Sequence, residues 1–233
     1  MATISEEKRI PTGVPGLDTL IQGGLRQGDF VLLQGGIGTG KTIFSTHFAY
    51  NSAKVLNQPA VFASFEEDVK SLRRNMLRFG MDLQELESKK MLKLVDLESL
   101  EGGGLSSNIQ VILDALDQLK AKRLVVDSLT AFLGVSNEKF DYALMMHLVY
   151  KTLKREGITT MMTVSKQPSE SDNANGIEEF IADGIFQIEN YVTDQKEIRT
   201  RFIIKKLRGS DHDKKYHTLS FTPNGISILA FSN

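Results

Sequence analysis

The sequence GGIGTGKT, residues Gly35–Thr42, has glycines at the spacing of a loop that binds phosphate groups. An apolar run, Phe30–Leu33, precedes it, and a run compatible with a helix, Ile43–Tyr50, follows it. Such a loop points several backbone N–H groups at phosphate oxygens, and glycine adopts the required dihedral angles without a Cβ clash. A helix that begins at the loop adds the positive end of its dipole. The pattern therefore predicts a strand, a phosphate-binding loop and a helix.

Each residue of the loop has an expected task. We expect Lys41 to reach the β- and γ-phosphates of a nucleoside triphosphate and the Thr42 hydroxyl to coordinate Mg²⁺. The expected nucleotide-binding residues are Gly36, Ile37, Gly38, Thr39, Gly40, Lys41, Thr42 and Ile43.

Apolar runs rich in β-formers alternate with helical patterns along most of the chain, which is typical of parallel strands joined by crossover helices. The candidate strands are Phe30–Gln34, Ala60–Phe65, Met91–Val95, Arg123–Val126 and Ile158–Val164. The candidate helices are Thr42–Leu56, Glu67–Phe79, Ser107–Lys120 and Tyr142–Glu156. The last third instead contains short strands and turns, at Ile185–Glu189, Glu197–Lys206, His217–Phe221 and Ile226–Ala230. We expect residues 1–233 to form one α/β domain, a mostly parallel twisted sheet flanked by helices, with C-terminal antiparallel strands.

Acidic residues follow two of the apolar strands. Asp127 comes directly after Arg123–Val126, where an acid would hold the water shell of the metal, although Asp is also favoured as a helix N-cap. Glu66 and Glu67 come at the end of Ala60–Phe65, where a carboxylate could orient and polarise water at the γ-phosphate. From chemistry alone, a pair of acids in the first turn of a helix explains them equally well.

Composition narrows the class of protein. The chain has 233 residues, 41% of them hydrophobic, a net charge of −1 and no cysteine. Disulfides and thiolate metal sites are therefore excluded. Its apolar runs are shorter than the roughly 20 residues that cross a bilayer, and Met1–Ile10 is polar, so the simplest expectation is a cytoplasmic protein without a membrane partner. A protein that grips a nucleic-acid backbone usually has a basic surplus, which is missing here.

Several motifs in order resemble the KaiC branch of the RecA-like ATPases. These are the N-terminal stretch Arg9–Asp18, the acidic pair in Ser64–Glu67, and Lys206–Ser210 followed by His212. The resemblance implies a RecA-like P-loop NTPase core, a homo-hexameric ring and ATP, with Mg²⁺, bound at subunit boundaries. It also implies Glu66 as the catalytic base with Glu67 beside it.

In the same resemblance, Lys206 and Arg208 act on the nucleotide of a neighbouring subunit by stabilising charge on the transferring phosphoryl group. Two residues apart at the end of a strand, they are expected to project the same way. The alternative is a solvated basic edge that protects the sheet from pairing.

Two departures limit what the resemblance implies. The clock protein KaiC has two tandem domains, whereas this sequence has one phosphate-binding motif, so a circadian role does not follow. Glu179 and Phe180 stand where the second domain of KaiC phosphorylates itself on a Ser-Thr pair. Neither side chain accepts phosphate, and autokinase activity is therefore not expected.

Two other function classes stay open. One is a RecA- or RadA-like recombinase or recombination accessory, although the loops Gly134–Phe140 and Lys166–Gly176 lack the basic and stacking residues that hold DNA. Ser165 and Gln167 could sense the γ-phosphate, or could simply be polar loop residues. The other class is a non-catalytic switch, in which bound nucleotide controls assembly with an unidentified protein partner.

Overall fold

The fold is known from a computed structural model, which describes residues 9–97, 105–130, 139–166 and 176–231. Within these ranges, nine strands form one sheet in the order β11-β10-β9-β8-β3-β7-β6-β4-β5, and two short strands, β1 and β2, form a separate pair. The strands are β1 (Arg9–Ile10), β2 (Leu25–Arg26), β3 (Phe30–Gly35), β4 (Ala60–Ser64), β5 (Leu92–Asp96), β6 (Arg123–Asp127), β7 (Thr159–Ser165), β8 (Gly184–Val192), β9 (Ile198–Leu207), β10 (His217–Thr222) and β11 (Gly225–Ala230).

Helices cover both faces of the sheet. They are α1 (Leu17–Leu20), α2 (Lys41–Lys54), α3 (Val69–Leu77), α4 (Leu83–Ser88), α5 (Leu105–Leu119), α6 (Lys139–Arg155) and α7 (Ile177–Ile181). Strand β3 is buried along its whole length, and its side chains alternate between two apolar clusters. Val31 and Leu33 pack in the cluster that contains Phe44 of α2. Phe30 and Leu32 belong to the opposite cluster. In the part of the chain that is described, no helix is long and apolar enough to span a membrane.

The sheet has a parallel part and an antiparallel part. Strands β5, β4, β6, β7, β3 and β8 run parallel, so their carboxyl ends meet at one edge, here called the carboxyl edge. The opposite edge, where these strands begin, is the amino edge. Strands β9, β10 and β11 continue the sheet in alternating directions. Because β9 runs back along β8, Leu207 pairs with Gly184, and β9 ends at the amino edge.

The N-terminal stretch packs against the amino edge of the sheet. The Asp18 carboxylate accepts hydrogen bonds from the backbone N–H and the hydroxyl of Thr12, at 2.8 and 2.7 Å. Arg123, at the start of β6, is almost fully buried and donates to the carbonyls of Pro11 and Thr12. Burial lowers the pKa of Arg123 to about 10, so the guanidinium stays charged at neutral pH.

The predicted parallel core and antiparallel extension are confirmed, with one correction that affects the site. The helix predicted from Glu67 begins at Val69, because Asp68 caps it by accepting from the N–H groups of Lys70 and Ser71. Glu66 and Glu67 therefore precede the helix and do not lie in its first turn. The patterns also missed α1, α4, α7, β1 and β2, which are all very short.

Candidate functional site

The predicted phosphate-binding loop lies at the carboxyl edge, between the end of β3 and the start of α2. Lys41 folds back over the loop, and its Nζ donates to the carbonyls of Gly35 and Gly36, at 3.0 Å each. The Thr39 hydroxyl donates to the same Gly36 carbonyl at 2.9 Å. Burial lowers the pKa of Lys41, and the negative charges of Asp127 and Glu66 oppose that shift. A cationic group is thus already placed among the backbone groups that would surround phosphate.

The Gly40 backbone is left-handed, with φ of 90°, and the ring of Phe221 from β10 lies against its α-carbon, so that a Cβ there would collide with the ring. The antiparallel part of the sheet therefore supports the loop directly. At the tip, Ile37 is 91% exposed.

Asp127 is the last residue of β6 and lies beside the start of α2. Its buried carboxylate accepts hydrogen bonds from the hydroxyls of Thr163, on β7, and Thr42. Burial raises the pKa of Asp127, whereas the hydrogen bonds from Thr163 and Thr42 lower it. A carboxylate beside a hydroxyl is the kind of oxygen donor set that Mg²⁺ takes together with phosphates and water. The residues present therefore fit the metal expected from the sequence.

The two adjacent glutamates differ in their surroundings. Glu66 is exposed, accepts a hydrogen bond from the Ser128 hydroxyl, and contributes negative charge at both Lys41 and Asp127. Glu67 is half-buried, and its carboxylate accepts from Asn75 Nδ2 of α3 at 2.6 Å. Burial raises the pKa of Glu67, and the Asn75 hydrogen bond opposes that rise. Of the two carboxylates, that of Glu66 is the more open to water.

Lys206 and Arg208 lie away from this loop. Lys206 pairs with Ile185 near the start of β8, whereas Gly35 pairs with Ile188, so Lys206 is set back by roughly 10 Å toward the amino edge. Lys206 Nζ donates to the carbonyl of Glu179 at 2.9 Å and to that of Phe180 at 3.4 Å.

Arg208 Nη2 donates to the Phe180 carbonyl at 2.7 Å. The two basic side chains therefore point the same way, toward the end of α7. Burial, and then the charge of Arg208, lower the pKa of Lys206.

Four residues of the site could not be read from local sequence. Thr163, Ser128, Asn75 and Phe221 contact Asp127, Glu66, Glu67 and Gly40 only because the sheet order and helix packing bring them there. Thr163 could have been found only by knowing that β7 lies beside β6.

Some sequence predictions lie outside the described residues. These are Gln167, most of the loop Lys166–Gly176, and most of the loop Gly134–Phe140. Ser165 ends β7, and its backbone N–H donates to the Thr130 hydroxyl at 2.9 Å.

The strand–loop–helix unit with Lys41 and Thr42, the buried Asp127 on a neighbouring strand, and the antiparallel extension define a P-loop protein with a RecA-like fold. Comparison with known proteins refines this class. The family model described as "ATPase: KaiC" matches residues 10–232, and the chain belongs to that family.

Two curated relatives are the circadian clock oscillator proteins KaiC of Parasynechococcus marenigrum and Thermostichus vulcanus. Each is 34% identical to this chain; the alignments cover 98% and 97% of the chain, and 46% and 45% of the relatives. The chain thus spans about half the length of these relatives. A crystal structure of a KaiC-like protein from Pyrococcus horikoshii matches with a TM-score of 0.84 and 32% identity, covering 95% of this chain and 99% of that one.

Proposed function

We propose that this protein is a Mg²⁺-dependent ATPase whose complete active sites form between subunits of a ring, as a homo-hexamer. One observation carries the proposal. Lys41, Thr42, Asp127 and Glu66 converge at the carboxyl edge, whereas Lys206 and Arg208 lie set back toward the amino edge with their side chains turned to α7. A chain built in this way offers half of a site at each of two places.

The first half binds the nucleotide and prepares water. The N–H groups of residues Gly36 to Ile43 surround the phosphates, and Lys41 leaves the carbonyls of Gly35 and Gly36 to reach them. Thr42 and Asp127 would hold Mg²⁺, which when bound neutralises charge on the phosphate oxygens. Glu66 orients the attacking water and takes its proton, and Glu67 adds negative charge beside it.

The second half is supplied to a neighbour. In a ring built from one repeated head-to-tail contact, one face of each subunit meets a different face of the next. Lys206 and Arg208, which donate to the carbonyls of Glu179 and Phe180, would then direct their other N–H groups at the γ-phosphate of the neighbouring subunit. There they stabilise the charge that develops as the phosphoryl group is transferred, as an arginine finger does.

The test is phosphate release, combined with the size of the particle, with and without Mg-ATP. We expect a ring in Mg-ATP and turnover that disappears on chelation of Mg²⁺ or in Lys41→Ala and Asp127→Asn. A particle that stays monomeric in saturating Mg-ATP would overturn the shared site. A ring that forms but releases no phosphate would favour the non-catalytic switch.

A further inference from the structure

A buried polar bridge joins α7 to the strand that leads into the phosphate-binding loop. Gln34, the residue before Gly35, is 2% exposed on the face of β3 that carries Phe30 and Leu32. Its Nε2 donates to Glu179 Oε1 at 2.6 Å. A buried amide without a hydrogen bond is costly, so this contact fixes Glu179 to β3.

The same carboxylate oxygen has a second partner that also contacts the loop. Lys166 Nζ lies 3.3 Å from Glu179 Oε1, and both side chains are largely buried. The backbone N–H of Lys166 donates to the carbonyl of Gly35 at 3.2 Å. That carbonyl also accepts from Lys41 Nζ. When Lys41 turns toward bound phosphate, the hydrogen bonding at Gly35 changes, directly beside the bridge.

The backbone carbonyls at the end of α7 contact the two basic residues assigned to the neighbouring site. The backbone carbonyl of Glu179 accepts from Lys206 Nζ, and the next carbonyl, that of Phe180, accepts from Arg208 Nη2. The backbone of Arg208 is fixed as well, since its N–H donates to the Asp183 carbonyl at 2.8 Å. One residue, Glu179, therefore contacts the P-loop strand through its carboxylate and Lys206 through its carbonyl.

We propose that Glu179 is a positioning residue that ties the placement of Lys206 and Arg208, and so their delivery to a neighbour's nucleotide, to the chain's own phosphate-binding loop. This inference rests on the proposed function, in which those two cations act on the neighbouring subunit. Loss of the Glu179 carboxylate is then felt more strongly at the neighbour's active site than at the chain's own.

A mixture of two inactive chains separates the two sites. The donor chain carries Glu66→Gln and Glu67→Gln, which keep Lys41 and both basic residues; the acceptor chain carries Arg208→Ala. Turnover in the mixture reports donor cations acting at acceptor loops. We add Glu179→Ala to the donor or to the acceptor and measure kcat and KM for Mg-ATP. A small displacement of a group that acts on the substrate lowers the rate strongly. We therefore expect kcat to fall about tenfold or more when Glu179→Ala is in the donor, and less than about twofold when it is in the acceptor.

Each outcome of this experiment either supports the inference or overturns it. Equal losses for the two placements, or no loss, would overturn this inference while leaving the shared site intact. No turnover in the starting mixture, which keeps Glu179 in both chains, would overturn the proposed function and this inference together. Native mass spectrometry checks that every donor variant assembles with the acceptor chain. The matched control is Glu178→Ala, which removes the same charge one residue earlier in α7.

An exchange of the two bridge partners shows whether positioning, and not folding, is affected. Gln34→Glu in the donor sets two buried carboxylates against each other, and we expect it to lower the recovered turnover about tenfold. Adding Glu179→Gln restores an amide facing a carboxylate, and turnover should return to within about threefold. A double variant that is no better than Gln34→Glu alone would contradict the bridge.

Discussion

The parallel and antiparallel parts of the sheet belong to one hydrogen-bonded framework, but they place their candidate site residues at opposite edges. In the parallel part, every strand ends at the carboxyl edge, so Lys41, Asp127 and Glu66 come together although they are far apart in sequence. In the antiparallel part, β9 reverses direction and ends at the amino edge with Lys206 and Arg208. Strand direction alone thus divides the candidate residues between two places, which is what a site shared between subunits requires.

The two parts are also joined by contacts at α2. Phe221 of β10 lies against Gly40, and the N–H of Ile226 in β11 donates to His47 Nδ1 at 3.2 Å. The helix that follows the phosphate-binding loop is therefore packed on the antiparallel part. The two contacts with α2 and the two sets of site residues can therefore be altered by separate substitutions.

The largest effect is expected from the antiparallel part. Arg208→Ala should lower turnover about 10³-fold, because charge on the transferring phosphoryl group loses its partner. Lys205→Ala removes a neighbouring, exposed cation from the same strand and is the matched control, expected within about twofold of wild type. Steady-state phosphate release measures both. Unchanged turnover in Arg208→Ala would show instead that this residue is part of a solvated basic edge of the sheet.

Next in size is the difference between the two glutamates of the parallel part. Glu66→Gln should lower kcat about 10²-fold, since a general base typically contributes at least this much. Glu67→Gln should lower it less than about tenfold, because Asn75 already holds that carboxylate. Single-turnover hydrolysis distinguishes chemistry from product release. The reverse order of effects would make Glu67 the base.

A pH-dependent loss of stability is expected at the joint between α2 and β11. Burial lowers the pKa of His47 from 6.5 to about 4, and its Nδ1 accepts the Ile226 hydrogen bond in the unprotonated form. Because the folded pKa lies below the unfolded value, the folded state binds fewer protons. The stabilisation is complete above about pH 6.5 and is lost as pH falls toward 4, by about 2 kcal/mol at pH 5.

His47→Gln removes the titration at this site. Denaturant unfolding of both proteins without nucleotide, at pH 7.5 and pH 5, gives the difference between their free energies of unfolding. We expect that difference to shift by about 2 kcal/mol in favour of the variant at pH 5. A difference independent of pH would show that His47 titrates normally in the folded protein.

The smallest effect tests the contact between the loop and β10. Gly40→Ala sets a methyl group against the Phe221 ring, whereas Gly38→Ala, at a similar φ of 75°, meets nothing within 4 Å. Both changes strain the backbone, so their difference isolates the clash. We expect Gly40→Ala to weaken ATP binding about tenfold more than Gly38→Ala in equilibrium titration. Equal affinities would show that the Phe221 side chain moves aside without weakening ATP binding.

Local sequence predicted the longer elements but not the very short ones, nor the contacts between elements. The phosphate-binding loop, the strand end at Asp127 and the position of Glu66 just after β4 were readable because each depends on a short pattern and a buried strand. The five-residue helix α7 was missed, since it is too short to show a helical period. The bridge from Gln34 to Glu179 was missed as well, because its partners are 145 residues apart in sequence. The site roles themselves stay predictions.

The most direct test of the shared site is turnover in a mixture of the acceptor chain, Arg208→Ala, and the donor chain, Glu66→Gln with Glu67→Gln. Each chain alone should be almost inactive. In an equal mixture of rings assembled at random, a quarter of the boundaries pair an intact loop with an intact arginine, so about a quarter of wild-type turnover per chain should return. Turnover equal to the sum of the separate chains, in rings shown by native mass spectrometry to contain both, would contradict a site shared between subunits.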